Sequence, residues 1–169
     1  VYTYLAVVLP VSRDQLVVAL LVFGVAGTVG TFTSGRVTDR FGAGPVLCGG
    51  LTGFAAALLL LPSALGNFPA ELACLAMWGF SAWALTVPQQ ARLLELVPSA
   101  GMVAIGLNSA AVFLGIGISA SIGAWLLEDL SPALLSYAGG SAVLAALAVA
   151  VAQLVAGRVR IRSAGSVVV

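Results

Sequence analysis

The sequence predicts an all-α fold, a polytopic bundle of helices crossing a lipid bilayer, and three observations carry that expectation. Of the 169 residues, 61% are apolar and 8% charged, with a mean hydropathy of +1.14. A water-soluble domain carries about 25% charged residues, and a disordered chain is poor in hydrophobes, so neither class fits. The apolar runs continue over about 20 residues, the length a helix needs to cross hydrocarbon, and lack the period-two alternation of a membrane barrel. Lastly, all seven prolines (Pro10, Pro45, Pro62, Pro69, Pro88, Pro98 and Pro132) read as lying at or just beyond the ends of those runs. A missing N–H does least harm there.

Taken in order, the segment 1–10 is apolar but short and reads as the second half of a span. Its first residue is Val and no basic stretch opens it, so it does not read as a signal peptide. Five complete spans follow, near 16–34, 43–62, 70–88, 102–126 and 134–156. Arg13 and Asp14 precede the first, and Gly35 to Gly42 separate it from the second. Gly66 to Pro69 break the second from the third, Arg92 to Pro98 close the third, and Glu128 to Pro132 divide the last two.

Orientation follows from alternation. Successive loops lie on opposite sides of the bilayer, which puts Arg36, Arg40, Arg92, Arg158, Arg160 and Arg162 on one side and Arg13 on the other. The arginine-rich side is expected to be cytoplasmic, with the C-terminus inside. Asp14, Glu71, Glu128 and Asp129 are then expected outside. Phe68, Trp125 and Tyr137 lie near the outer ends of their spans, as an aromatic belt requires. Trp78 and Trp83 lie deeper, roughly 12–20 Å in at 1.5 Å per residue, and either pack between helices or face a path through the bundle.

The same residues exclude several activities. No basic block exists to hold nucleic acid. Histidine is absent, so Ser81, Ser119 and Ser121 have no imidazole to activate them, and no enzyme is expected. Cys48 and Cys74 are isolated in apolar runs, which predicts small packing residues and neither a metal site nor a disulfide; no cofactor is implied. No ionisable side chain is expected well inside a span, so ion coupling would lie outside these residues.

Small residues form the clearest internal pattern. Gly24, Gly27 and Gly30 recur every three residues, and Ala111, Gly115, Ser119 and Gly123 every four. Helices in lipid associate by close backbone approach, so these faces are expected contacts, whether static or sliding. Asn108 and Ser109 are the polar candidates for a cavity wall. Between the first two complete spans, Gly35-Arg-Val-Thr-Asp39-Arg40-Phe-Gly42 must reverse the chain within about eight residues. Read physically, it is a positive-inside loop whose Asp39 favours a nearby helix N-terminus.

Gly35-x-x-x-Asp39-Arg40-x-Gly42 resembles the signature loop of the major facilitator superfamily, in the copy after the eighth of its twelve helices. Tyr2-Thr-Tyr-Leu5, Pro88-Gln-Gln-Ala-Arg92-Leu-Leu-Glu-Leu-Val-Pro98, and Leu107-Asn-Ser109 leading into Gly115-Ile-Gly117 and Gly123 resemble helices seven, ten and eleven of its bacterial drug and sugar efflux permeases. The resemblance implies the C-terminal six-helix half of that fold with its first helix truncated and its N-terminal bundle absent. It also implies a secondary active transporter in the bacterial inner membrane, exporting small drugs or sugars by alternating access with proton antiport. Its partners would be a small-molecule substrate, protons, lipid and the N-terminal half. Gly35, Asp39, Arg40 and Gly42 would gate, latching against the eleventh helix; Asn108, Ser109 and Trp78 would border the path; Gly115, Ser119 and Gly123 would pack helices. Where the family motif continues with basic residues, this chain has Ala43-Gly44-Pro45. An uptake permease of the same fold, or a membrane scaffold that transports nothing, would share most of these features.

The orientation has a direct check. A cysteine replacing Ser163 should react with an impermeant thiol reagent only after the cell is opened, and labelling of intact cells would reverse the topology.

Overall fold

A computed structural model describes residues 4–129 and 132–165. The chain folds into α1 (Leu5–Val8), α2 (Arg13–Phe41), α3 (Ala43–Ala64), α4 (Phe68–Ala84), α5 (Thr86–Leu96), α6 (Gly101–Asp129) and α7 (Pro132–Gly165), with a 3₁₀ turn at Pro98–Ala100. Among the described residues, five helical stretches are long and apolar enough to cross a membrane: Arg13–Phe41, Ala43–Ala64, Phe68–Leu96, Pro98–Trp125 and Ala133–Ala156.

Local chemistry sets the ends of these helices. Ser12 caps α2, its hydroxyl accepting from the Gln15 N–H while the Gln15 side chain accepts from the Ser12 N–H. This reciprocal box satisfies two of the N–H groups that a helix start leaves free. Asn67 caps α4 through the Ala70 N–H, with Pro69 in the first turn. The α3–α4 connection turns at Gly66, whose φ of 85° suits glycine alone.

Expected boundaries move at two prolines. Pro88 does not end the third span: α5 continues it to Leu96. Lacking an N–H, Pro88 leaves the Ala84 carbonyl without its helical donor, so the rod breaks at Leu85 and resumes, with the Gln89 N–H donating to the Leu85 carbonyl. Pro62 likewise lies inside the last turn of α3.

Packing centres on α2 against α4. The buried stripe of α2 is Ala19, Phe23, Gly27, Gly30, Ser34 and Thr38. A Cβ on Gly30 would strike the Phe80 carbonyl, and one on Gly79 the Phe23 carbonyl, so the backbones meet with nothing between them. Gly27 seats the Trp83 ring, 2.5 Å from where its Cβ would be. Gly24, expected on the same face, has no neighbour within 4 Å of its Cβ direction and points away. Three-residue steps drift around a helix of 3.6 residues per turn, so Gly24 leaves the face that Gly27 and Gly30 share.

Below this contact lies the core. Trp78 is its hub, edge-on to Phe23 with ring centroids 5.3 Å apart and stacked on Phe54 at 6.2 Å. Leu58, Leu61 and Leu75 surround it, and Leu5, Leu9 and Leu135 close it from α1, the turn after it and α7. The opposite surfaces carry large apolar side chains such as Leu21, Phe32, Leu107, Leu114 and Val149, as lipid-facing helices should.

Glu71, an acid expected on the outer side, lies in the first turn of α4 and is only 1% exposed, and the Gly66 N–H donates to its Oε1 at 2.8 Å.

The close approach is testable by adding one methyl. Gly30→Ala should destabilise the purified protein by about 1–3 kcal/mol, as overpacking does, whereas Gly24→Ala should stay within about 0.5 kcal/mol. Thermal melts in detergent read both, and equal melts would dismiss the backbone contact.

Candidate functional site

Around the break at Leu85, α4 and α5 border a cavity of about 580 Å³ against α6. Its wall is apolar and aromatic, with Phe54, Trp83, Val112, Phe113 and Ile116. Thr86, Gln89, Gln90, Asn108 and Ser109 supply the polar groups. Trp83 is 54% exposed and its ring rests on Gly27 at the border of the space. Apolar walls with a few directed amides and hydroxyls are the chemistry that holds a small amphiphilic organic molecule.

Asn108 does more than border this cavity. Its Oδ1 accepts from the Gln89 Nε2 at 2.7 Å, tying α6 to α5. Ser109, beside it, donates to the Ile105 carbonyl at 3.0 Å and keeps its own helix satisfied. Toward the other end of α6, the Tyr4 hydroxyl donates to the Ala120 carbonyl at 2.6 Å. The Tyr4 ring also covers Gly123, whose Cβ would lie 2.5 Å from it. One side-chain bond near each end thus holds α6 across the cavity.

The remaining expected residues fall into three groups. Trp78 does not border this cavity; it is 5% exposed in the core, and Trp83, five residues on, takes the position by the open space. Of the small-residue face on α6, only Gly123 is packed. Gly115 has nothing within 4 Å of its Cβ direction, and Ser119 is exposed and donates to the Ile116 carbonyl. The Gly35–Gly42 segment is helical through Phe41 and not an eight-residue loop. The reversal is made by Gly42 alone, at φ 82° and ψ 157°, its N–H bonded to the Thr38 carbonyl at 2.8 Å. Asp39, Arg36 and Arg40 are exposed on the last turns of α2, with the Arg40 guanidinium 5.4 Å from the Phe41 ring centroid. Gly35 is half-buried with open space beside it, so no contact explains why glycine stands there.

The cavity and broken helix lie in a chain that matches the Major Facilitator Superfamily model over residues 1–166. The chain belongs to the major facilitator superfamily. It is a multi-pass membrane protein, by that membership and by its five apolar helices. Its relatives include an uncharacterized MFS-type transporter, YbcL, of Bacillus subtilis (strain 168), 30% identical over 150 residues, covering 86% of this chain and 38% of the relative. A protein named "Probable sugar efflux transporter" from Mannheimia succiniciproducens is 32% identical over 139 residues, covering 82% of this chain and 34% of that one. Another of the same name from Helicobacter pylori (strain J99) is 30% identical over 141 residues, covering 80% and 34%. The chain spans about a third of the length of these curated relatives.

Sequence reasoning overlooked Gln89, Gln90 and Phe113 as wall residues, and left Trp83 open between packing and a path. The signal was present: Pro88 inside an apolar run, followed by two amides that a lipid-facing helix would not carry. The amide pair can be tested by a double-mutant cycle. Gln89→Leu and Asn108→Leu should each lower thermal stability, and the double variant should lose less than their sum by about 0.6–1.7 kcal/mol, the range of interhelical bonds in membrane bundles. Additive losses would separate the two amides.

Proposed function

We propose that this chain is the C-terminal half of a secondary active transporter that exports small drugs or sugars by alternating access, with proton antiport. The observation that carries the reading is the cavity at the α4–α5 break, with its aromatic wall and its amides. It is supported by membership of the superfamily and by relatives named for sugar efflux. In this reading the path runs between this bundle and an N-terminal one, at the discontinuous helix, as transporter folds commonly arrange it. Trp83 and Phe113 present ring faces to an apolar or sugar-ring surface, Gln90 and Ser109 give it direction, and the Gln89–Asn108 bond closes one side.

The Asp39 turn acts as the gate. Gly42 joins α2 to α3 with no slack, so a tilt of α2 is transmitted to α3. Asp39 and Arg40, exposed beside that joint, are placed to meet a moving neighbour.

The test uses the complete protein in cells stripped of their own exporters. A labelled sugar or a fluorescent hydrophobic cation should leave the cell against its gradient, and a protonophore should stop it. Accumulation inside the cell would select an uptake permease, and no flux in either direction a scaffold. In the same assay Asp39→Asn should reduce the rate with membrane abundance unchanged; a wild-type rate would take the gate away from Asp39.

A further inference from the structure

Glu71 is the buried group that the transport path leaves unused. Its two oxygens are in unequal positions. Oε1 accepts from the Gly66 N–H at 2.8 Å, and Oε2 is buried with no hydrogen-bond partner. The residue shares one face of α4 with Leu75 and Trp78, at i, i+4 and i+7, so it heads the stripe that forms the apolar core. The turn directly before it is open to water: Gly66 and Asn67 are exposed while Glu71 beneath them is not.

Among the described residues, no charge balances this carboxylate. α2 and α4 start at the same face of the bundle, and the charged groups there, Arg13 and Asp14, are both exposed. The outer half of α3, residues 55–64, has no ionisable side chain. On α5, Arg92 and Glu95 lie about 30 Å farther along the rod. On α4 itself Cys74 is one turn away, and Tyr4 before α1 is committed to the Ala120 carbonyl. An ionised carboxylate in such surroundings needs donors on both oxygens, whereas a protonated one needs a single donor on its carbonyl oxygen. Gly66 supplies one donor to Oε1, and Oε2 has none among the described residues.

We propose that Glu71 is a proton-binding site in this half of the transporter, loaded through the exposed Gly66–Asn67 turn. Oε2 takes a proton from water on that side to give the carboxylic acid, with Oε1 still accepting from Gly66. Release returns the proton to water and leaves a carboxylate that must gain a donor, which requires the α3–α4 turn or the first turn of α4 to open. Proton occupancy and the position of that turn are therefore linked. The inference rests on the proton-antiport reading, to which it adds a coupling group within these residues.

Infrared difference spectra of the complete protein in liposomes, acid minus neutral, provide the test. The carbonyl stretch of a protonated carboxylic acid should appear in wild type and vanish in Glu71→Gln, which keeps the acceptor for Gly66 but holds no titrating proton. Glu71→Asp should retain the band with a displaced midpoint. In transport, Glu71→Gln should lose the dependence of rate on outer pH. A band that survives Glu71→Gln, or a wild type without one, overturns the proposal. If the band is lost as expected while a protonophore leaves transport untouched, the proton site stands and the antiport reading falls.

Discussion

Lipid gives helices no hydrophobic reason to meet, because the tails are as apolar as the side chains. The bundle therefore depends on places where two backbones touch, and the contact between α2 and α4 is the chief one. Gly30 lies on the Phe80 carbonyl and Gly79 under the Phe23 carbonyl, a reciprocal fit in which each helix supplies a glycine to the other's backbone. That contact fixes the height of Phe23 and Trp78, whose edge-to-face pairing organises the core. It also presses Trp83 against Gly27, at the wall of the cavity. The site and the core are thus positioned by the same two helices.

α3 and α7 form a second close pair. Gly140 receives Leu58 and Leu59, and Gly44 receives Leu154, so side chains and not backbones fill the gap. α6 is held differently. It has neither a glycine contact along its middle nor a buried stripe, and two side-chain hydrogen bonds near its ends keep it in place. The graded closeness, tight for α2–α4 and loose for α6, places the cavity on the side with the least packing to lose.

Much of this was legible in the sequence, for physical reasons that also explain the misses. Apolar length reveals helices because lipid leaves the backbone no other partner, and the Ser12, Gly66 and Gly42 boundaries are local chemistry. The direction in which a side chain points is not local. Gly24 and Gly27 look alike in a pattern of threes, and only the crossing of α2 with α4 separates them. Pro88 reads as an end when prolines are taken to stop helices, yet a spanning helix must continue after a break because unpaired backbone in hydrocarbon costs more than a kink. Glu71 lies near a span boundary, and nothing local shows that it is buried; its burial follows from how the Gly66 turn folds over it. Asn108 was found by polarity alone, whereas its partner Gln89 needed the kink to face it.

The tethers of α6 have a mechanical consequence. Asn108 and Ala120 are 12 residues apart, roughly 18 Å along the axis at 1.5 Å per residue. With the Tyr4 bond as pivot, a tilt of about 10° carries Asn108 about 3 Å, enough to part it from Gln89 and to widen the cavity without unwinding a turn. The helix is then a lever with a fixed end and a latch, and opening it must break that amide–amide bond.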